Sequence, residues 1–223
     1  MGILIRGGRV VDAAAQIDKI ADVYLDDGVI QKVGEKLEAK DKDDKIIDAK
    51  GLVVMPGLVD LHVHFRDPGQ TEKEDIETGS HAAARGGVTT VVAMPNTTPV
   101  IDSPDRANYV KNKLRRFRYS CAPAGAMTKG ELGEELSDIA GMAAAGVPVL
   151  SEDGKSVMKA SLCKQAMEEA VKAGLPIFDH CEDMSLRGNG CMNEDENAKR
   201  PWASGNLQFY RRYHCGKRFF ACH

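Results

Sequence analysis

Hydrophobic residues in the first 52 positions fall in short runs that predict a small domain of β-strands. Four runs are rich in residues that favour strands. They are Leu4-Ile5, Arg9-Val10-Val11, Ala21–Leu25 and Val29–Val33. Asp26-Asp27-Gly28 predicts a hairpin turn between the last two runs, because glycine tolerates the positive φ angle of a tight turn. The dense run of Lys, Asp and Glu from Glu35 to Lys45 predicts a solvated loop.

From Gly51 onwards the pattern changes, and apolar runs alternate with stretches of helical periodicity. Five apolar runs predict buried strands: Leu52–Val63, Val88–Met94, Tyr119–Ala126, Val147–Leu150 and Leu175–Phe178. Four stretches between them predict helices: Glu72–Arg85, Ser103–Arg116, Glu131–Ala145 and Val157–Ala173. Gly86-Gly87, Gly146 and Gly174 stand where helices would end. Strands that alternate with helices predict βαβ units and a parallel sheet, whose chemistry gathers at the carboxyl ends of its strands.

Two histidines stand at the end of the first of these predicted strands. His62 and His64 are two residues apart, so on a strand their side chains project to the same side. Neutral imidazole nitrogen is a good zinc ligand. The pair by itself fits a zinc site or two hydrogen-bonded core histidines, and its spacing leaves both alternatives open.

Polar residues at other strand ends favour the metal site. Asn96 follows the second of these strands, Glu152-Asp153 the fourth, and Asp179-His180 the fifth. Acidic or imidazole side chains at three of the five ends are typical of a site assembled from several strands. Asp153 has an alternative interpretation as a helix cap. His81 lies inside a predicted helix and is interpreted as a structural or surface residue.

Composition narrows the function classes. With 43% hydrophobic and 28% charged residues, the chain is globular and not intrinsically disordered. The net charge of −3 gives no electrostatic case for nucleic acid. We find no secretory signal and no apolar run of the ~18 residues that a membrane span needs. The six cysteines form no CxxC motif, so we expect reduced thiols and a cytoplasmic location.

Three segments resemble bacterial class I dihydroorotases of the amidohydrolase superfamily. They are DLHVHFRDPGQTEKEDIETGSHAAARGGVTTVVAMPNTTP from Asp60, SEDGKSVM from Ser151 and DHCED from Asp179. The resemblance implies an α/β fold, a TIM-type (β/α)8 barrel with a small β-subdomain built from both chain ends. Residues 1–52 would be the amino-terminal half of that subdomain. Residues 53–200 would be the first five β/α units, so the barrel would be partial.

The resemblance also implies a set of site residues. His62 and His64 would bind one zinc ion, Asp153 would bridge two, and His180 would bind the second. Arg66 and Asn96 would bind the substrate carboxylate, and His64 would also contribute to substrate binding. Glu152 departs from the family, which commonly has Asp there, but Asp153 keeps the ligand position. The family's proton-shuttling Asp follows the eighth strand, which lies beyond this chain.

The implied reaction is the zinc-dependent interconversion of dihydroorotate and N-carbamoyl-aspartate in pyrimidine biosynthesis. A hydantoinase or allantoinase is the same-class alternative. Those enzymes place a carbamylated lysine at the end of strand four, where this chain has Asp153, and Lys155 comes too late. A non-catalytic, dihydroorotase-like structural partner is the other alternative. A full-length protein would form a homodimer or associate with aspartate transcarbamoylase, whereas we expect this truncated chain to be inactive.

Residues 201–223 differ in composition from the rest of the chain. They hold half of the aromatic residues and no Asp or Glu. After Ala-Lys-Arg the family continues Leu-Gly-Leu-Pro-Gly-Ile, and a one-base shift in the codons of Pro201–Leu207 can encode that text. We therefore interpret this segment as an out-of-frame tail. A basic surface segment is one alternative, and a zinc site from His214, Cys215, Cys222 and His223 is another, although their spacing matches no known finger.

Overall fold

The structure is a computed structural model that describes residues 2–115 and 120–187. The chain separates at Gly57 into two compact units, a few residues after the boundary expected at residue 52. The predicted tail at 201–223 lies outside the described residues, as do the last residues of the predicted barrel segment. Among the described helices, none combines the length and the apolar character that crossing a membrane requires.

The first unit is a five-stranded sheet with a small apolar core. Its strands are β1 (Ile3–Asp12), β2 (Ile17–Asp26), β3 (Val29–Gly34), β4 (Lys45–Asp48) and β5 (Val53–Val54). β1, β2 and β3 form an antiparallel meander, and β4 and β5 pair in parallel with successive parts of β1. The predicted hairpin turn is confirmed, because Asp27 and Gly28 have φ angles of 50° and 74°.

The second unit is built on parallel strands. They are β6 (Leu58–Val63), β7 (Val88–Ala93), β8 (Ser120–Pro123), β9 (Gly125–Ala126), β10 (Leu150–Ser151) and β11 (Ile177–Phe178). Only Ala124 separates β8 from β9, so these two pieces form one barrel strand. β8 pairs with β7 on one side and β9 pairs with β10 on the other. The result is five consecutive parallel strands in chain order, as the sequence predicts.

Helices follow these strands along the chain. They are α1 (Ile76–Arg85), α2 (Pro104–Leu114), α3 (Ile139–Ala144), α4 (Ala160–Ala173) and the short α5 (Met184–Arg187). On α2, the side chains of Ala107, Val110 and Leu114 are buried and share one face of the helix. The helix α1 begins after Asp75, whose carboxylate accepts a hydrogen bond of 2.8 Å from the Thr78 amide.

The predicted helix from Glu131 to Ala145 is wrong in its first half. The backbone forms a single 3-10 turn at Lys129–Glu131, and the α-helix begins only after Asp138. Gly130, Glu131 and Gly133 all have positive φ angles, which an α-helix cannot contain. The glycine pair turns the chain at the point where the apolar periodicity predicted a helix.

The predicted strand from Leu52 to Val63 is also divided. Val53–Val54 pair with β1 in the first unit, whereas β6 begins at Leu58 in the second. Pro56 lies between the two pieces and has no amide hydrogen to donate to a sheet. The continuous apolar run therefore contributes one strand to each of the two units.

Two loops that follow β6 and β7 pack against each other. The Thr98 amide donates to the Pro68 carbonyl at 3.0 Å, and Gly69 lies beneath Thr98 with a φ angle of 85°. A Cβ atom on Gly69 would lie 1.9 Å from the Thr98 carbonyl oxygen. Gly69 therefore meets both a conformational and a steric requirement of this loop contact.

We predict that Gly69→Ala destabilises the second unit by at least about 3 kcal/mol, because the backbone must move as well as adopt a strained φ angle. Gly174→Ala is the matched control. Gly174 also has a positive φ angle of 68° but has open space around it, so its substitution should cost only about 1–2 kcal/mol. Urea unfolding of both variants measures the difference. Equal losses would show that the loop contact does not constrain Gly69.

Candidate metal centre

The two histidines lie at the carboxyl end of β6. His62 is within the strand and His64 follows it, so their rings project to the same side. The ring centroids are 5.1 Å apart with an interplanar angle of 69°. Two imidazoles are thus presented together at the strand end, as their spacing predicts.

Asp153, which follows β10, contacts both histidines. Its Oδ1 lies 3.0 Å from His62 Nε2, and its Oδ2 lies 3.5 Å from His64 Nε2. The ligand atoms of the three residues all lie within 4.8 Å of one another. The helix-cap alternative for Asp153 is excluded, because the next helix begins only at Ala160. His81 is exposed on α1 and is not a member of this group.

Asn96 lies between two members of the group. Its Nδ2 donates to Asp153 Oδ2 at 2.6 Å, and its Oδ1 is 3.1 Å from His64 Nδ1. The resemblance assigns Asn96 to the substrate carboxylate. In this structure its side chain joins the ends of the second and fourth barrel strands to the end of the first, and its role in binding substrate stays a prediction.

The electrostatic setting favours a neutral imidazole at His64. Burial lowers the pKa of His64 below its ordinary value, the Asp153 carboxylate opposes that shift, and the Arg66 guanidinium adds to it. Neutral imidazole is the form that binds a metal ion. His64 therefore does not have to lose a proton before it can act as a ligand near neutral pH.

Arg66 is held by the loop that follows β6. Its φ angle is 56°, an uncommon value for a residue with a side chain, and its carbonyl accepts a 2.9 Å hydrogen bond from the Gln70 amide. The side chain is partly exposed. Its charge acts on His64, so the guanidinium lies within electrostatic reach of the group.

His180 follows β11 and makes a different contact. Its Nε2 is 3.0 Å from Glu182 Oε2, and its carbonyl accepts a hydrogen bond from the Ser156 hydroxyl. It is not part of the group formed by His62, His64 and Asp153. Its role at a second zinc ion stays a prediction.

Comparison with known proteins identifies the family. A family model described as dihydro-orotase-like matches residues 51–206. The chain belongs to the dihydro-orotase-like family. Dihydroorotase from Citrifermentans bemidjiense is 43% identical over 218 residues, which cover 95% of this chain and 51% of that protein. Dihydroorotase from Clostridioides difficile is 48% identical over 191 residues, which cover 86% of this chain and 45% of that protein.

This member of the dihydro-orotase-like family spans about half the length of the curated relatives it matches. Among solved structures, L-hydantoinase from Arthrobacter aurescens has a TM-score of 0.77 at 21% identity, covering 98% of this chain and 50% of that one. D-Hydantoinase from Thermus sp. has a TM-score of 0.65 at 27% identity, covering 84% and 42%. The fold is therefore part of the (β/α)8 barrel of the amidohydrolases, with a small β-subdomain.

Glu152 has a structural role that the sequence analysis did not predict, since there it was only an acidic residue at a strand end and a departure from the family. Its fully buried carboxylate accepts hydrogen bonds from the Met127 and Thr128 amides at 3.0 and 3.1 Å, and from the Thr128 hydroxyl. It thereby ties the end of the fourth barrel strand to the loop after the third. In the sequence, the signal for this buried contact is a charged residue that directly follows an apolar strand.

Glu131 is a second buried carboxyl that the sequence missed. Its Oε1 has no hydrogen-bond partner among the described residues, whereas its backbone carbonyl accepts a 3.0 Å hydrogen bond from Lys155 Nζ. Burial, helped by the charge of Glu152, raises the pKa of Glu131 to about 8. Glycines on both sides, at Gly130 and Gly133, signal the turn that buries it.

We predict that Glu131→Gln removes a pH dependence of stability between about pH 5 and 8. The folded chain keeps the Glu131 proton up to a pKa of about 8, whereas the unfolded chain loses it near the ordinary value. Stability of the unsubstituted chain therefore falls as pH rises, by at most about 1.4 kcal/mol per pH unit. Relative to that chain, Glu131→Gln should gain stability at pH 8 and not at pH 5.

Denaturant unfolding at the two pH values measures this effect. Glu134→Gln, at an exposed position of the same segment, is the control and should follow the unsubstituted chain. A gain that is equal at pH 5 and pH 8 would contradict the prediction, because it would come from packing and not from the proton.

Proposed function

We propose that this chain carries the metal-binding half of a zinc-dependent dihydroorotase of the cytoplasm. The reaction is the interconversion of dihydroorotate and N-carbamoyl-aspartate in de novo pyrimidine biosynthesis. The observation that carries the proposal is the convergence of His62, His64 and Asp153 in a dihydro-orotase-like chain. The six cysteines form no CxxC motif, which supports a reducing compartment.

The donor set fits zinc. Two imidazoles and one carboxylate are ligand types found in catalytic zinc sites, and Asp153 is buried while His62 remains exposed on one side. His62, His64 and Asp153 would hold the ion, and His180 would bind a second. When bound, zinc supplies hydroxide from water near neutral pH.

The protein's own residues bind and orient the substrate. Arg66 would bind the dihydroorotate carboxylate through two parallel hydrogen bonds from its planar guanidinium. The backbone contact between Arg66 and Gln70 and the packing of Gly69 under Thr98 keep that residue beside the two histidines. The resemblance adds Asn96 to the same carboxylate site.

Two other functions compete with this proposal. A hydantoinase would need a bridging lysine at the end of the fourth strand, but Lys155 directs its ammonium group to the Glu131 carbonyl. A non-catalytic, dihydroorotase-like partner would not need the His62, His64 and Asp153 group that this chain keeps. Association with a second copy or with aspartate transcarbamoylase would belong to the full-length protein and remains a prediction.

We predict that the chain binds zinc and that His62→Ala together with His64→Ala abolishes binding, because two of three ligands are removed. Zinc content after dialysis, measured by atomic absorption, tests this. His81→Ala is the matched control, because His81 is an exposed histidine outside the group. Unchanged zinc content in the double variant would place the metal elsewhere.

The dihydroorotase relatives have a second half that has no match in this chain, so activity is tested by joining that half to this chain. Residues 1–200 joined to the matching second half of the Clostridioides difficile dihydroorotase should open the ring of dihydroorotate in a zinc-dependent manner. Hydantoin and allantoin should react more slowly. Arg66→Lys should lower kcat/KM about 10- to 100-fold with zinc still bound, because lysine keeps the charge but loses the planar pair of donors.

The second half of the Clostridioides difficile dihydroorotase, expressed alone, is the control for this experiment. Faster turnover of hydantoin than of dihydroorotate would favour the hydantoinase alternative. Zinc binding without turnover of any of the three compounds would favour the non-catalytic alternative.

A further inference from the structure

We infer that Asn96 is a positioning residue, which holds the His64 imidazole in the tautomer that carries its proton on Nδ1 and leaves Nε2 open to a metal ion. The inference rests on the proposed metal centre and adds a role to it. Three contacts carry it: Asn96 with Asp153, Asn96 with His64, and His64 with Asp153.

The first contact fixes the orientation of the Asn96 amide. Asn96 Nδ2 lies 2.6 Å from Asp153 Oδ2. An ionised carboxylate can only accept hydrogen bonds, so the atom that faces it must be the NH2 group. The reverse orientation would bring two oxygen atoms together at that distance. The amide oxygen of Asn96 must therefore point the other way.

The second contact fixes the tautomer of His64. With the amide so oriented, Asn96 Oδ1 faces His64 Nδ1 at 3.1 Å. An amide oxygen only accepts, so Nδ1 must be the donor and carry a hydrogen. A neutral imidazole has a single N–H, and Nε2 is then left with a lone pair.

The third contact places the other ring nitrogen of His64 beside the candidate metal ligands. His64 Nε2 lies 3.5 Å from Asp153 Oδ2, on the side of the three-residue group. In the tautomer with its proton on Nδ1, the Nε2 lone pair is available to a metal ion there. Asn96 contacts Nδ1 and one Asp153 oxygen at the same time, and so favours this tautomer. Outer partners of this kind are known to orient histidine ligands.

The loop of Asn96 is itself braced. Gln70 Nε2 donates to the Asn96 carbonyl at 3.4 Å, and the neighbouring Thr97 is buried with its hydroxyl donating to the Pro99 carbonyl at 2.7 Å. The amide is therefore presented from a supported backbone. This support is what a positioning role requires.

The test uses the 223-residue chain without metal and then with zinc. Nitrogen-15 chemical shifts of the imidazoles report the tautomer, and chelator competition reports the zinc Kd. The metal-free chain should show His64 protonated on Nδ1. Asn96→Leu removes both contacts at similar size, so the Nε2 tautomer should become populated and zinc binding should weaken about 10- to 100-fold.

A further variant separates positioning from general damage. Asn108→Leu makes the same substitution at an exposed position on α2 and should leave both the tautomer and the zinc Kd unchanged. A wild-type His64 that is protonated on Nε2 would overturn the inference, whether or not Asn96→Leu folds.

The tautomer is read without metal, so it decides the role of Asn96 separately from the proposed function. An unchanged tautomer and zinc Kd in Asn96→Leu would also overturn the inference. If zinc binding were then still lost in the His62 and His64 double variant, the metal centre would stand and only the role of Asn96 would fail.

Discussion

The common direction of the five barrel strands is the constraint on which the site depends. Parallel pairing from β6 to β11 brings every carboxyl end to the same edge, so residues far apart in the chain are placed side by side. The Asn96–Asp153 hydrogen bond joins the ends of strands that are separated by two helices. Without the shared direction, His62, His64 and Asp153 would not meet.

Buried polar contacts then set the positions of the strand ends. Glu152 lies next to Asp153 and binds two backbone amides of the neighbouring loop, so the carboxylate that faces the histidines is anchored from behind. Asp67, in the loop after the first barrel strand β6, is similarly buried, and its carboxylate pairs with Lys113 Nζ at 3.0 Å. These contacts hold the site in place with protein groups alone, which is the pre-organisation that a metal centre needs.

The sequence predicts those parts of the site that depend on strand direction and side-chain alternation. The sequence predicts that the side chains of His62 and His64 project to the same side of their strand, because they are two residues apart. It also predicts that Asp153 lies near them, because Asp153 follows another parallel strand at the same edge of the sheet. The helix from Glu131 was mispredicted because apolar periodicity outweighed Gly130 and Gly133.

Other features depend on atomic geometry. The orientation of the Asn96 amide and the contact of the His180 ring with Glu182 are set by distances between side-chain atoms, and no residue pattern encodes them. These residues could be recognised from the sequence as polar groups near strand ends. Their partners could not.

The central claim is that a metal ion in this chain is bound by two imidazoles and a carboxylate at the strand ends. X-ray absorption at the zinc edge of the zinc-loaded chain tests it most directly, because nitrogen and oxygen ligands at about 2.0–2.2 Å are distinguishable from sulfur at about 2.3 Å. The account predicts a shell of nitrogen and oxygen with two imidazoles and no sulfur. A sulfur shell would contradict it, because cysteine would then hold the ion in place of His62, His64 and Asp153.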